Sequence, residues 1–153
     1  MTAKKTIIVF ESYHHKNTEK IARIIAQALQ AKLFKPEELN ISTLSDFNLV
    51  GFGTGIYHGK PHEKIQHFLD KLPLFKNKKA FLFTTSGILK DCYIQNIENQ
   101  ISQKGFQVVG HFSCTGFDTY GPFKFIGGLN RGHPDLIDFY RAEIFANSLK
   151  NRL

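Results

Sequence analysis

Short apolar runs at residues 6–10, 49–53 and 80–84 alternate with longer stretches in which apolar residues recur every three or four positions. The runs predict buried strands, and the recurring patterns predict amphipathic helices. A first helix follows from Ile21, Ile24, Ile25, Ala28 and Leu29. A short strand at 31–34 comes next, stopped by Pro36. Residues 36–47 are polar and predict a loop, or one weak turn of helix. A second helix over about 62–71 turns Ile65, Phe68 and Leu69 inward, with Leu72 beyond them, and Pro73 ends it. A third, over about 93–104, carries Ile94, Ile97 and Ile101 and stops at Gly105. Residues 106–114 alternate enough for a fifth strand. The closing helix, about 134–149, is expected to bury Leu136, Ile137, Tyr140, Ile144 and Leu149.

Strands joined by helical crossovers imply an α/β domain with a parallel sheet covered on both faces. Such sheets bind ligands beyond the carboxyl ends of their strands. The segments that fall there are rich in glycine and hydroxyl groups: 12–18, 54–61 and 85–87. Residues 115–134 have no helical or strand period but are aromatic and glycine-rich, so an ordered flap near that edge is expected. No repeat or linker divides the chain, and 1–153 is taken as a single domain.

The segment Ser12-Tyr13-His14-His15-Lys16-Asn17-Thr18 lies between the first strand and the first helix. A helix opening beside a strand end presents unpaired N–H groups and the positive end of its dipole, a ready anion site. Ser12, Asn17 and Thr18 add side-chain hydrogen bonds at the same spot. Taken alone, such a turn is also what an ordinary helix cap looks like. Two further loops at the same edge tip the reading toward a phosphate-bearing ligand.

At 153 residues, 42% apolar and 22% charged, the composition is that of an ordinary globular protein. No apolar run spans a bilayer and no signal peptide is recognised, so a cytoplasmic protein is expected. Two cysteines make no disulfide framework and no cysteine-rich zinc site; Cys114 reads as a buried structural residue. The net charge of +7 favours anionic partners, but the basic residues are scattered, and no nucleic-acid interface is expected. Gly51, Gly53 and Gly55 are two apart and do not form a dinucleotide fingerprint. Neither a P-loop nor a serine nucleophile elbow occurs. His58 and His62 are separated by Gly59 and Pro61, which argues against a shared helical face, and no metal site is expected.

Ser12 through Thr18, followed by Glu19-Lys20-Ile21-Ala22, resembles the FMN-phosphate loop of flavodoxins and flavodoxin-like oxidoreductases. The loop spacing is also similar to that of the flavodoxin-like protoporphyrinogen oxidases. The similarity continues through 53–59, 84–87 and 116–122, and so covers nearly the whole chain. It implies a doubly wound five-stranded parallel sheet in the order 2-1-3-4-5, with FMN where strands one and three diverge; that placement is the family's known one. By the same resemblance Ser12, His14, His15, Lys16, Asn17 and Thr18 would hold the phosphate. Thr54, Gly55, Ile56, Tyr57, His58 and Gly59 would flank the isoalloxazine ring, with Tyr57 or Ile56 on one face. Gly55 or Gly59 would let a peptide carbonyl turn toward flavin N5. Thr85, Ser86 and Gly87 would line the other side. Lys16 stands where related loops have glycine: either it takes a costly positive φ or it reaches the phosphate as a point charge.

The implied function is electron transfer between redox partners. The alternative is a flavoenzyme acting on a quinone or a porphyrinogen; the aromatic flap gives that alternative weight. The partner is expected to have an acidic docking surface, and the chain to be a monomer or weak dimer. The loops at the ligand edge carry His14, His15, Lys16, His58, Lys60, Lys90, Lys124, Arg131 and His133 against Asp91 and Asp118. That cationic rim is expected to make the second flavin potential less negative than in typical, acidic flavodoxins.

Overall fold

The computed structural model describes residues 5–119 and 121–153; the side chain of His14 lies outside the described part. Strands β1 (Thr6–Glu11), β2 (Lys32–Phe34), β3 (Leu49–Tyr57), β5 (Lys78–Ser86) and β6 (Phe106–Thr115) form a parallel sheet in the order β2-β1-β3-β5-β6. A two-residue strand, β4 (Lys60–Pro61), pairs antiparallel with the end of β3 and was not expected from the sequence. Helices α1 (Asn17–Leu29), α2 (Glu63–Asp70), α3 (Asp91–Gln103) and α4 (Leu136–Lys150) cover the two faces. The side chains of β1 alternate between them. Ile7 and Val9 enter the cluster that includes Ile65, Phe68, Ile94 and Ile97. Ile8 and Phe10 enter the cluster that includes Ile21, Ile25, Ala142 and Ala146.

Three segments differ from the sequence reading. The polar stretch at 36–47 forms two 3-10 helices, Pro36–Glu38 and Ile41–Asp46. Asn40 caps the second by accepting the Ser42 N–H at 3.1 Å. The glycine-rich segment after residue 53 is not a loop: β3 continues to Tyr57, because its pairing with β5 runs on through Gly55↔Thr85. What remains is a tight turn at His58 and Gly59, both at positive φ (49° and 74°). Two such residues in a row are what a two-residue hairpin requires.

The third difference is the face of α4. The helix buries Asp138, Ala142, Ala146 and Leu149. Leu136, Ile137, Tyr140 and Ile144, expected inside, are 82%, 68%, 65% and 51% exposed. The cause lies in the neighbour: α4 packs on α1, which turns its own Ala22 and Ala26 inward. Alanines let two helices approach closely, so the smaller side chains sit in the contact and the larger ones point out. Substituting Ile137 or Ile144 by Gln is therefore expected to change stability by no more than about 0.5 kcal/mol, measured by urea unfolding. A loss of 2 kcal/mol or more would restore the inward reading.

Candidate functional site

The carboxyl ends of β1, β3 and β5 open on one pocket of about 330 Å³. Its walls come from separate parts of the chain: Asn17 and Thr18 of α1, Gly55–His58, Thr85–Gly87, and Gly116–Asp118 of the flap. Three segments singled out in the sequence thus meet at one place.

The loop from β1 to α1 is shaped by a carboxylate that sequence reasoning did not select. Glu11, 6% exposed, accepts the Ser12 N–H at 2.9 Å and the Lys35 ammonium at 2.8 Å. Lys64 stands 3.5 Å from its second oxygen. Burial opposes its ionisation, but these contacts and charges together hold Glu11 below the usual carboxylate range. The chain then makes a 3-10 turn, His14–Lys16, in which His15 (φ 56°) and Lys16 (φ 54°) are both left-handed. Lys16 therefore does occupy a position that favours glycine. Ser12 Oγ reaches forward to accept the Glu19 N–H at 3.1 Å. Asn17 and Thr18 are the first residues of α1, so the N–H end of that helix opens at the pocket.

Asn17 ties the loop to the flap, donating from Nδ2 to the Phe117 carbonyl at 2.9 Å. Its Oδ1 is buried with no hydrogen-bond partner, an acceptor left open beside the pocket. The Thr18 and Thr85 hydroxyls lie 2.8 Å apart and link α1 to β5 beneath the site. Thr54 points elsewhere: it donates to the Gly55 carbonyl and accepts the His62 N–H at 3.0 Å, fixing the start of α2. Tyr57 folds over Gly55 and accepts the Tyr13 N–H at 3.3 Å. Burial pushes its hydroxyl above the usual phenol range. Tyr13, Tyr57 and His62 form one aromatic wall, with ring centroids 5.7–6.5 Å apart.

The flap is ordered. Asp118 and Leu129 pair as an antiparallel bridge, with a 3-10 helix, Gly121–Ile126, between them. Asn130 Nδ2 donates to the Gly87 carbonyl at 2.6 Å, and the Phe117 N–H donates to the His133 carbonyl at 2.8 Å. The His15 ring lies against that of Phe117, centroids 4.3 Å apart and tilted by 43°, and its Nε2 is 3.0 Å from the Thr119 hydroxyl. His133 Nδ1 meets the Asp138 carboxylate at 2.8 Å, which holds the imidazole above its ordinary pKa.

Of the residues expected to bind, Asn17, Thr18, Gly55, Ile56, Tyr57, His58, Thr85, Ser86 and Gly87 line the pocket. Ser12, His15, Lys16, Thr54 and Gly59 do not; they shape the loops around it. Tyr13, Pro61, His62, Glu63, Phe117 and Asp118 line it without having been selected as binding residues. Of the expected cationic rim, His58 lines the pocket; among the described residues the lining also carries Glu63 and Asp118 and no lysine or arginine. Cys114 is buried, and burial pushes its thiol up to about 12, far from nucleophilic use.

This sheet order, with a pocket at the carboxyl edge, defines a doubly wound α/β domain. Residues 7–117 match the flavodoxin domain family, to which the chain belongs. An uncharacterised protein of Methanocaldococcus jannaschii is 45% identical over 150 residues, covering 96% of this chain and 99% of that one. Oxidised flavodoxin 2 of Bacillus cereus superposes with a TM-score of 0.76 at 19% identity, covering 97% and 99% of the two chains. A flavodoxin from the domain Archaea gives 0.73 at 15% identity, covering 97% of each. At those identities the two structures show a shared fold.

Proposed function

We propose that the pocket holds FMN and that the protein passes electrons between redox partners. The observation that carries this reading is the convergence of Asn17–Thr18, Gly55–His58 and Thr85–Gly87 on one pocket at the sheet's switch point. The residues fit the group. The N-terminus of α1 suits the phosphate, and the open Asn17 Oδ1 suits a ribityl hydroxyl. Tyr57 offers a ring face, and Thr85–Gly87 supply backbone groups on the opposite wall. Ser12, His15 and Lys16 complete the phosphate loop around that helix end; Thr54 and Gly59 set the turn beside the ring. His14 belongs to the same loop by sequence. Bound FMN supplies the one- and two-electron chemistry, and the chain's residues orient it and keep water from its faces. The His58–Gly59 turn, rather than Gly55 held in the ladder, is the place where a peptide can reorient.

A second reading is favoured by one observation: Phe117 and Asp118 of the flap line the same pocket. An enclosed site suits a small substrate such as a quinone or a porphyrinogen, turned over beside the flavin. An acidic redox partner and a monomer or weak dimer remain the expected setting.

The test is FMN added to purified protein, excess removed, and the visible spectrum recorded. A retained spectrum with shifted and resolved bands is expected, and tight binding of riboflavin is not. If no flavin is retained, the reading fails. Photoreduction of the retained cofactor, with and without a quinone, then separates the carrier from the enzyme.

A further inference from the structure

Two large apolar side chains that are adjacent on the flap stand largely in solvent, Phe125 at 81% and Ile126 at 73%. They form the end of the 3-10 helix at the flap's tip. The Lys124 ammonium lies 5.2 Å from the centroid of the Phe125 ring. Between Thr119 and Pro134 the chain carries Lys124, Arg131 and His133 and no carboxylate. The tip is thus apolar with Lys124 beside it, on a segment of positive net charge, while His133 at its far end is taken up by Asp138. Its base is fixed at the pocket mouth by the Asp118–Leu129 bridge and by Asn130 on Gly87.

We propose that this tip inserts into an anionic lipid surface and sets the pocket mouth against the membrane. A pair of apolar side chains on a basic rim is the pattern of an interfacial anchor: the side chains enter the headgroup boundary while the cations meet lipid phosphates. A second copy of the chain is the wrong occupant, since it would bring an identical basic tip and the same net charge of +7. A protein partner fits less well. Two protruding side chains offer on the order of 300 Å², against about 800 Å² per partner in a standard interface. A bilayer needs no matching relief. The outward stripe of α4 is a different case, flanked by both Arg141 and Glu143, and shows no preference of sign.

The chain contains no tryptophan, so Phe125→Trp is a single-site reporter. It is mixed with vesicles of phosphatidylcholine alone or with 30% phosphatidylserine. A blue-shifted emission is expected only with the anionic vesicles, together with co-sedimentation of the wild-type protein. Bound fraction should fall at least fivefold at 0.5 M salt, and as much in the double variant Phe125→Ser/Ile126→Ser. Both residues are exposed, and an unchanged melting temperature will confirm that the variant is folded. No binding to anionic vesicles overturns the proposal. So does binding that the double variant retains in full, or a dimer in sedimentation velocity that the same variant abolishes. The readout does not depend on flavin, so it stands or falls apart from the proposed cofactor.

Discussion

Gly53→Ala is expected to lower stability by about 3 kcal/mol and the melting temperature by roughly 10 °C, without touching the pocket. β3 lies in the middle of the sheet, where Gly51 pairs with Phe81 and Gly53 with Phe83. Both rings are fully buried and lean over the glycines, 6.2 Å apart and nearly parallel. A methyl group on Gly53 would lie within the Phe83 ring. The ring has no room to yield, since Phe83 packs in the same cluster as Ile21, Phe112 and Ala142. Overpacking that displaces a core ring belongs at the upper end of the usual cost. Gly55→Ala is the contrast: its methyl meets the hydroxyl end of the partly exposed Tyr57, which can swing away. It should cost under about 1 kcal/mol. Urea unfolding of both variants checks the difference. Partial recovery in Gly53→Ala/Phe83→Leu would attribute the loss to the ring. Equal, small losses would mean that these glycines are not spacers.

The same glycines show what the sequence could and could not disclose. Their alternation on β3 is plain, and it excluded a dinucleotide fingerprint. Its actual reason is a register with β5 that places a phenylalanine opposite each, and long-range pairing leaves no local mark. The strands, crossovers and the pocket's three loops were legible because apolar period and turn chemistry are local signals, whereas the strand order came only from the family resemblance. The face of α4 was not: hydropathy ranks Ile144 above Ala146, whereas close contact with Ala22 and Ala26 selects the smaller residue. Glu11 was not singled out, because nothing nearby in sequence announces Lys35 and Lys64 as its partners. Tyr13 and Asp118 were missed in the same way; each enters the pocket through contacts with distant segments.

Replacing Lys16 by glycine is expected to move two properties in opposite directions. Lys16 holds φ 54° and ψ 32°, directly after His15 in a similar conformation. A side chain in that region costs about 1 kcal/mol, so Lys16→Gly should stabilise the protein by about that amount. FMN affinity should nonetheless fall about tenfold, because a cation at the mouth of the phosphate loop is lost. Two unit charges 4 Å apart near a protein surface interact by about 4 kcal/mol before solvent and entropy take their share, so a tenfold effect is a modest fraction. Lys16→Gln separates the contributions: it removes the charge and keeps the strained backbone, so affinity falls while stability stays. Riboflavin, which has no phosphate, should bind all three proteins equally weakly. Titration of flavin fluorescence and urea unfolding supply the two readouts. If Lys16→Gly gained both stability and affinity, the lysine would be a burden on a loop designed around glycine. If the expected split is found, the chain has accepted strain in its phosphate loop in exchange for charge, which is consistent with a pocket whose lining, among the described residues, holds no lysine or arginine.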